Sequence, residues 1–118
     1  MFNLKDFLQS FKYAFRGLKN ALQKEQSLRI QILIGILVLF FSLWIGLSGI
    51  EMALITGMIS IVISLELINT TAEKIIDVVN LKKHPKIRFI KDVMAAGVLV
   101  SALGALIVGL IIFLPRFF

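Results

Sequence analysis

Charged residues are absent from two long stretches of this chain. Ile30 to Ile50 is a run of 21 residues without a charge, and Val93 to Pro115 is one of 23. Roughly 20 apolar residues of helix cross a bilayer's hydrocarbon core, so each run is long enough to span. A third run, between Glu51 and Glu66, holds 14 residues. At about 1.5 Å per residue it reaches only roughly 21 Å. It can cross only by continuing through Glu66, Leu67, Ile68 and Asn69, which carries a carboxylate into the membrane. The pattern predicts transmembrane helices over 30–47, 51–79 and 93–114, with a break at His84-Pro85 inside a loop over 80–92. No small-residue cleavage site follows an early apolar run, so a cleaved signal peptide is not expected.

The segment 1–29 has a different period. Leu4, Phe7, Phe11, Ala14, Leu18 and Leu22 recur at three- and four-residue steps, with Leu8 and Phe15 widening that face. Lys5, Gln9, Lys12, Arg16 and Lys19 mark the opposite side. Such a helix lies in the membrane interface with its lysines toward anionic headgroups. The expected fold class is an all-α membrane protein, three transmembrane helices plus an N-terminal amphipathic interfacial helix, with the 118 residues as one membrane domain.

Composition sharpens this picture. The chain is 58% hydrophobic and 17% charged, too little polar surface to cover a soluble globule of this size, for which about 25% charge is usual. The absence of cysteine excludes disulfides, thiol nucleophiles and cysteine-ligated metals. The net charge of +6 resides mainly in two segments. Residues 1–29 carry Lys5, Lys12, Arg16, Lys19, Lys24 and Arg29, and residues 80–92 carry Lys82, Lys83, Lys86, Arg88 and Lys91. The Leu47–Ile50 turn carries neither Lys nor Arg. By the positive-inside rule the two basic segments are cytoplasmic and the C-terminus external, with Arg116 a lone dissenter. No aromatic-basic pattern points to nucleic acid.

The chemistry-bearing stretch is Glu66 to Asp77. At about 100° per residue, Glu66, Asn69, Glu73 and Asp77 share roughly a quarter of the helix circumference, with Thr70 beside them. Charged groups at such depth are costly and face protein, water or an ion. A lone Glu66 could be a structural hydrogen-bond partner. Neighbouring carboxylates, however, repel unless something positive lies between them. A divalent cation, a cationic ligand or the basic loops would serve, and an all-oxygen donor set favours Mg²⁺ over zinc. Glu25, Arg29 and Gln31 flank the start of the first span, and Lys91-Asp92 opens the third at the same cytoplasmic level. Acidic groups for a metal and a lysine for phosphate suit phosphoryl transfer. No P-loop, GxGxxG or protein-kinase signature accompanies them. A rival reading is a non-catalytic oligomeric ion pathway in which Glu66, Asn69 and Glu73 line a pore.

This string, with Asn69 and Glu73 between Glu66 and Asp77, resembles the signature of the prokaryotic diacylglycerol kinase/undecaprenol kinase family of small integral-membrane lipid kinases. Tyr13-Ala14-Phe15-Arg16-Gly17-Leu18, Glu25, Arg29, His84 and Lys91-Asp92 extend the resemblance over nearly the whole chain. It implies a homotrimer in a bacterial inner membrane, with active sites between subunits at the membrane–cytosol boundary. It implies ATP as donor, Mg²⁺ as cofactor, and diacylglycerol or undecaprenol as the acceptor lipid alcohol. By the same resemblance, Glu66 is the general base and Asn69 orients the reacting groups. Glu25 and Glu73 hold the metal, and Arg29 and Glu66 meet the lipid substrate. Asp77, Lys91, Asp92, Tyr13, Lys19, Lys82, Lys83 and His84 serve the nucleotide, with Lys91 and Asp92 also close to the chemistry. Thr71 and Gln31 depart from the family pattern: members carry a smaller Ser or Ala at the first position and an acidic residue or His at the second.

Overall fold

In the computed structural model, residues 3–79 and 84–118 are described, and among them every regular element is helical. The elements are α1 (Leu4–Lys24), α2 (Gln26–Ile45), α3 (Gly49–Val79) and α4 (Pro85–Phe117). The last three are long and apolar enough to cross a membrane.

α1 begins on Asn3, whose side-chain oxygen accepts from the amides of Lys5 at 3.0 Å and Asp6 at 3.4 Å. It buries none of its residues. Leu4, Phe7, Leu8, Phe11 and Phe15 are all exposed along its apolar side, and Phe7 and Phe11 meet edge to face at 5.1 Å. A face of that size on an otherwise polar helix suits the headgroup–acyl boundary.

Between α1 and α2 the chain bends at one residue. Glu25 is extended, with φ −113° and ψ 109°, and its amide still donates to Ala21 O at 2.9 Å. Neither proline nor glycine makes the break. Arg29, one turn into α2, instead turns back, and its Nη1 donates to Leu22 O at 2.8 Å and Gln23 O at 3.1 Å. Those are two of the carbonyls that a helix C-terminus leaves unpaired, so Arg29 caps α1 across the bend.

The α2–α3 turn is set by two local signals. Gly46 adopts a left-handed conformation, φ 76°, and its amide and that of Leu47 both donate to Ser42 O at 3.2 Å. Ser48 and Glu51 then form a reciprocal capping box: the Glu51 amide donates to Ser48 Oγ at 3.2 Å, and the Ser48 amide to Glu51 Oε1 at 3.0 Å. At the other end of the molecule α4 starts on Pro85, eight residues before the span read from the sequence. Proline fits the first helical position because its missing N–H has no intrahelical role there. His84 accepts the Lys86 amide on Nδ1 at 3.1 Å. Most of the stretch expected as loop is therefore helix.

α3 packs along α4 over much of its length and on α2 over less, while α1 packs chiefly on α2. α2 approaches α3 at Gly35, where an added Cβ would lie 2.9 Å from Ile59 Cγ2. The start of α3 and the end of α4 are tied by an ion pair between Arg116 and Glu51. Phe41 joins them, with its ring centroid 5.6 Å from that of Phe113 and 6.0 Å from those of Phe117 and Trp44. A soluble monomer of this mass exposes about 6,400 Å². This chain exposes 8950 Å², and its large exposed side chains along α2, α3 and α4 are those a lipid or another copy would cover.

Candidate active site

α3 carries the candidate site residues along its C-terminal half, from Glu66 to Asp77. Glu66 is buried, 7% exposed, as are Ile55 before it and Ile76 after it. Asn69 is half-buried one turn on, and Glu73 and Asp77 are exposed beyond it. The quarter-turn face read from the sequence therefore runs from a buried carboxylate to open ones.

Glu66 is bound from α2. Gln31 Nε2 donates to Glu66 Oε2 at 3.3 Å and to Ser27 Oγ at 3.4 Å, so both amide hydrogens are directed. Among the described residues no donor is assigned to the second oxygen of Glu66. The carbonyl oxygen of Gln31 is buried without a partner among the described residues. Gln31 also stands at one end of a groove of about 480 Å³ over α3, whose walls include Gly35, Ile59, Ile63, Ala105 and Gly109. A hydrocarbon chain suits such walls.

Other expected residues are spread more widely. Glu25 is half-buried at the α1–α2 bend, with its backbone rather than its side chain serving the helix ends. Arg29 is exposed, and its guanidinium is partly committed to the α1 carbonyls. Lys19 and Arg29 border a second, open hollow of about 600 Å³ with Phe15 and Leu22. Tyr13 is exposed, with the Arg16 guanidinium 5.6 Å above its ring. Lys91 is half-buried. Asp92 is exposed and pairs with Arg88 one turn earlier on α4, at 3.5 Å. His84 caps α4. Lys82 and Lys83 lie outside the described residues.

Among the described residues no three Asp, Glu or His side chains gather in a metal-binding group. A Mg²⁺ ion that works on nucleotides is usually held by one or two carboxylates, with phosphates and water completing its shell. Glu25 and Glu73 supply two hard oxygen donors of that kind.

Spacing alone did not reveal that Gln31 holds Glu66. Its signal was its position as a long polar side chain early in an uncharged run, one turn past Ser27.

Comparison with known proteins gives this arrangement a family. The model for prokaryotic diacylglycerol kinase matches residues 12–113. An undecaprenol kinase of Bacillus subtilis is 35% identical over 96% of this chain and 92% of its own length. A diacylglycerol kinase of Synechocystis is 32% identical over 93% of this chain, which spans 63% of that relative. A diacylglycerol kinase of Haemophilus influenzae is 27% identical over 83% of each chain. The match runs from the amphipathic helix through the Glu66 face to the last span, and the chain, a multi-pass membrane lipid kinase, belongs to the prokaryotic diacylglycerol kinase family.

Proposed function

We propose that the chain transfers the γ-phosphoryl group of ATP to the hydroxyl of a membrane lipid alcohol, diacylglycerol or undecaprenol. The product is phosphatidic acid or undecaprenyl phosphate. The observation that carries this reading is the buried Glu66 carboxylate, fixed through one oxygen by Gln31 and followed along α3 by Asn69, Glu73 and Asp77. An acceptor alcohol lies at the interface with its chain in hydrocarbon, so its hydroxyl meets Glu66 without the lipid leaving the membrane. Glu66 takes the hydroxyl proton while the alcohol oxygen bonds to the γ-phosphorus. The bond from that phosphorus to the bridging oxygen breaks, and ADP leaves. Asn69 orients the reacting groups, and Lys91 contacts phosphate. Asp92, Asp77, Tyr13, Lys19, Lys82, Lys83 and His84 serve the nucleotide side, and Arg29 the lipid side.

Glu25 and Glu73 would hold Mg²⁺, which supplies charge neutralisation on the phosphates when bound. The positive-inside distribution supports an orientation with the N-terminus and this end of the bundle cytoplasmic and the C-terminus outside, and the family supports a bacterial inner membrane. Basic segments there draw the anionic nucleotide toward the interface. A homotrimer is supported by the uncovered apolar helix surface and by Gly97 and Gly109, where an added Cβ would meet nothing within 4 Å inside one chain. Small residues of that kind allow close helix approach in lipid.

The test is phosphate transfer from radiolabelled ATP to diacylglycerol and to undecaprenol, side by side in mixed micelles. Glu66→Gln should abolish transfer in a folded trimer, and wild-type-like turnover would remove Glu66 as the base. Ion flux through vesicles without any phosphate transfer would favour the pore reading instead.

A further inference from the structure

We infer that Gln31 is a positioning residue for this reaction, orienting the Glu66 carboxylate from the neighbouring helix. The inference rests on the proposed role of Glu66 as base. Both hydrogens of the Gln31 amide are directed, one to Ser27 Oγ at 3.4 Å and one to Glu66 Oε2 at 3.3 Å. Two such anchors on two helices fix the amide plane, and the plane fixes which carboxylate oxygen is occupied. Oε2 is taken, so Oε1 is the oxygen left to face the acceptor hydroxyl. A carboxylate rotating freely about its last bond would offer either oxygen in many directions, and misorientation of a reacting group is expensive in rate.

The hydrogen bonding favours orientation over cement. The amide carbonyl of Gln31 is buried with no partner among the described residues. An unpaired buried carbonyl costs about as much as a hydrogen bond to a carboxylate returns. As an α2–α3 tie the pair therefore contributes little net stability, and an apolar side chain there would hold the helices at least as well. What an apolar side chain cannot do is donate to Glu66. A carboxylic side chain could donate only while it carries a proton, whereas glutamine donates at every pH. The amide also stands at the end of the apolar groove over α3. A hydrocarbon chain lying in that groove would bring its polar end to the oriented carboxylate.

The experiment compares four proteins in detergent micelles: wild type, Gln31→Met, Glu66→Asp and the double variant. Methionine keeps the length and removes the donor. Gln31→Met should lower kcat 10- to 100-fold with the ATP KM, trimer size and unfolding midpoint unchanged. Glu66→Asp withdraws the carboxylate from the amide's reach, so adding Gln31→Met to it should cost less than a further two-fold. Full turnover by Gln31→Met, or losses that multiply in the double variant, would overturn the inference. So would a fall in kcat that tracks a loss of trimer or a lowered midpoint, and Gln31→Leu repeats this comparison with a different shape. A Glu66→Asp protein with wild-type turnover would instead refute the base assignment beneath it.

Discussion

Gly35→Ala probes the close approach that sets the site. The new Cβ would lie 2.9 Å from Ile59 Cγ2 and 4.0 Å from both Ile59 Cγ1 and Ile63 Cδ1. Carbon atoms rest at about 3.5–4.0 Å, so the gap must open by roughly 0.6–1.1 Å. Ile59 cannot easily yield, because Cγ2 is a β-branch and a helical isoleucine is largely confined to one χ1 rotamer. α2 must therefore move away from α3. Overpacking of this kind costs about 1–3 kcal/mol. Alanine's greater helix propensity returns about 1 kcal/mol, but any helical glycine would gain that equally. Gly57, on α3 with nothing within 4 Å of an added Cβ, supplies the comparison. Gly35→Ala should unfold at a lower temperature than Gly57→Ala, and the difference isolates the contact.

The kinetic effect follows from the register of α2. Gln31 lies one turn before Gly35 and donates to Glu66 at 3.3 Å. Moving α2 by more than a few tenths of an ångström lengthens that bond beyond useful strength. A displacement near 1 Å can cost about 100-fold in rate. Gly35→Ala should thus lose roughly 10- to 100-fold in lipid phosphorylation while its ATP KM stays near wild type. Phosphate transfer in mixed micelles and thermal unfolding of the same samples provide both readings. A Gly35→Ala protein as active and as stable as Gly57→Ala would refute the coupling of this contact to the site.

Glu73→Ala and Glu25→Ala should each raise the Mg²⁺ and ATP concentrations needed for half-maximal transfer, and unchanged requirements in both would remove the metal assignment. Arg29→Ala leaves two carbonyls of α1 uncapped, so α1 should become more accessible to protease in micelles; unchanged cleavage would count against the capping role. Ser48→Ala removes one half of the capping box at the start of α3. It should cost about 1 kcal/mol of stability with turnover unaffected, because it acts at the far end from Glu66; a selective loss of kcat would contradict that separation.

The long uncharged runs made the all-helical class and the membrane setting legible, since few other structures tolerate 21 and 23 consecutive residues without a charge. Glu66 was legible for a related reason: the 14 uncharged residues before it are too few to cross. The α1–α2 bend was not, because Glu25 carries no glycine or proline signal and the turn depends on Arg29 reaching back two helical turns. The start of α4 was misjudged for a physical reason as well. Proline discourages helix at the residue before it but is well placed to begin one, so the His84-Pro85 break is also a helix start. Arg116 read as a dissenter from the charge rule. Its partner Glu51 lies 65 positions away in sequence, and no local pattern joins them.

That ion pair indicates how one small chain accommodates a buried carboxylate. Glu51 and Glu66 are on the same helix, 15 residues and about 22 Å apart. At the Glu51 end α3 is bound by a capping box and an ion pair to α4, and the rings around Phe41 join α2 to α4. At the Glu66 end α1 packs chiefly on α2, and the side chains of Glu73, Asp77 and Asp92 are exposed. On the proposed reading a lipid and a nucleotide both enter at that end, where strong packing would block them. The ties at the Glu51 end hold the register of α3 from the opposite end of the bundle. At the depth of the carboxylate itself, the hydrogen bond found among the described residues is that of the Gln31 amide to Glu66.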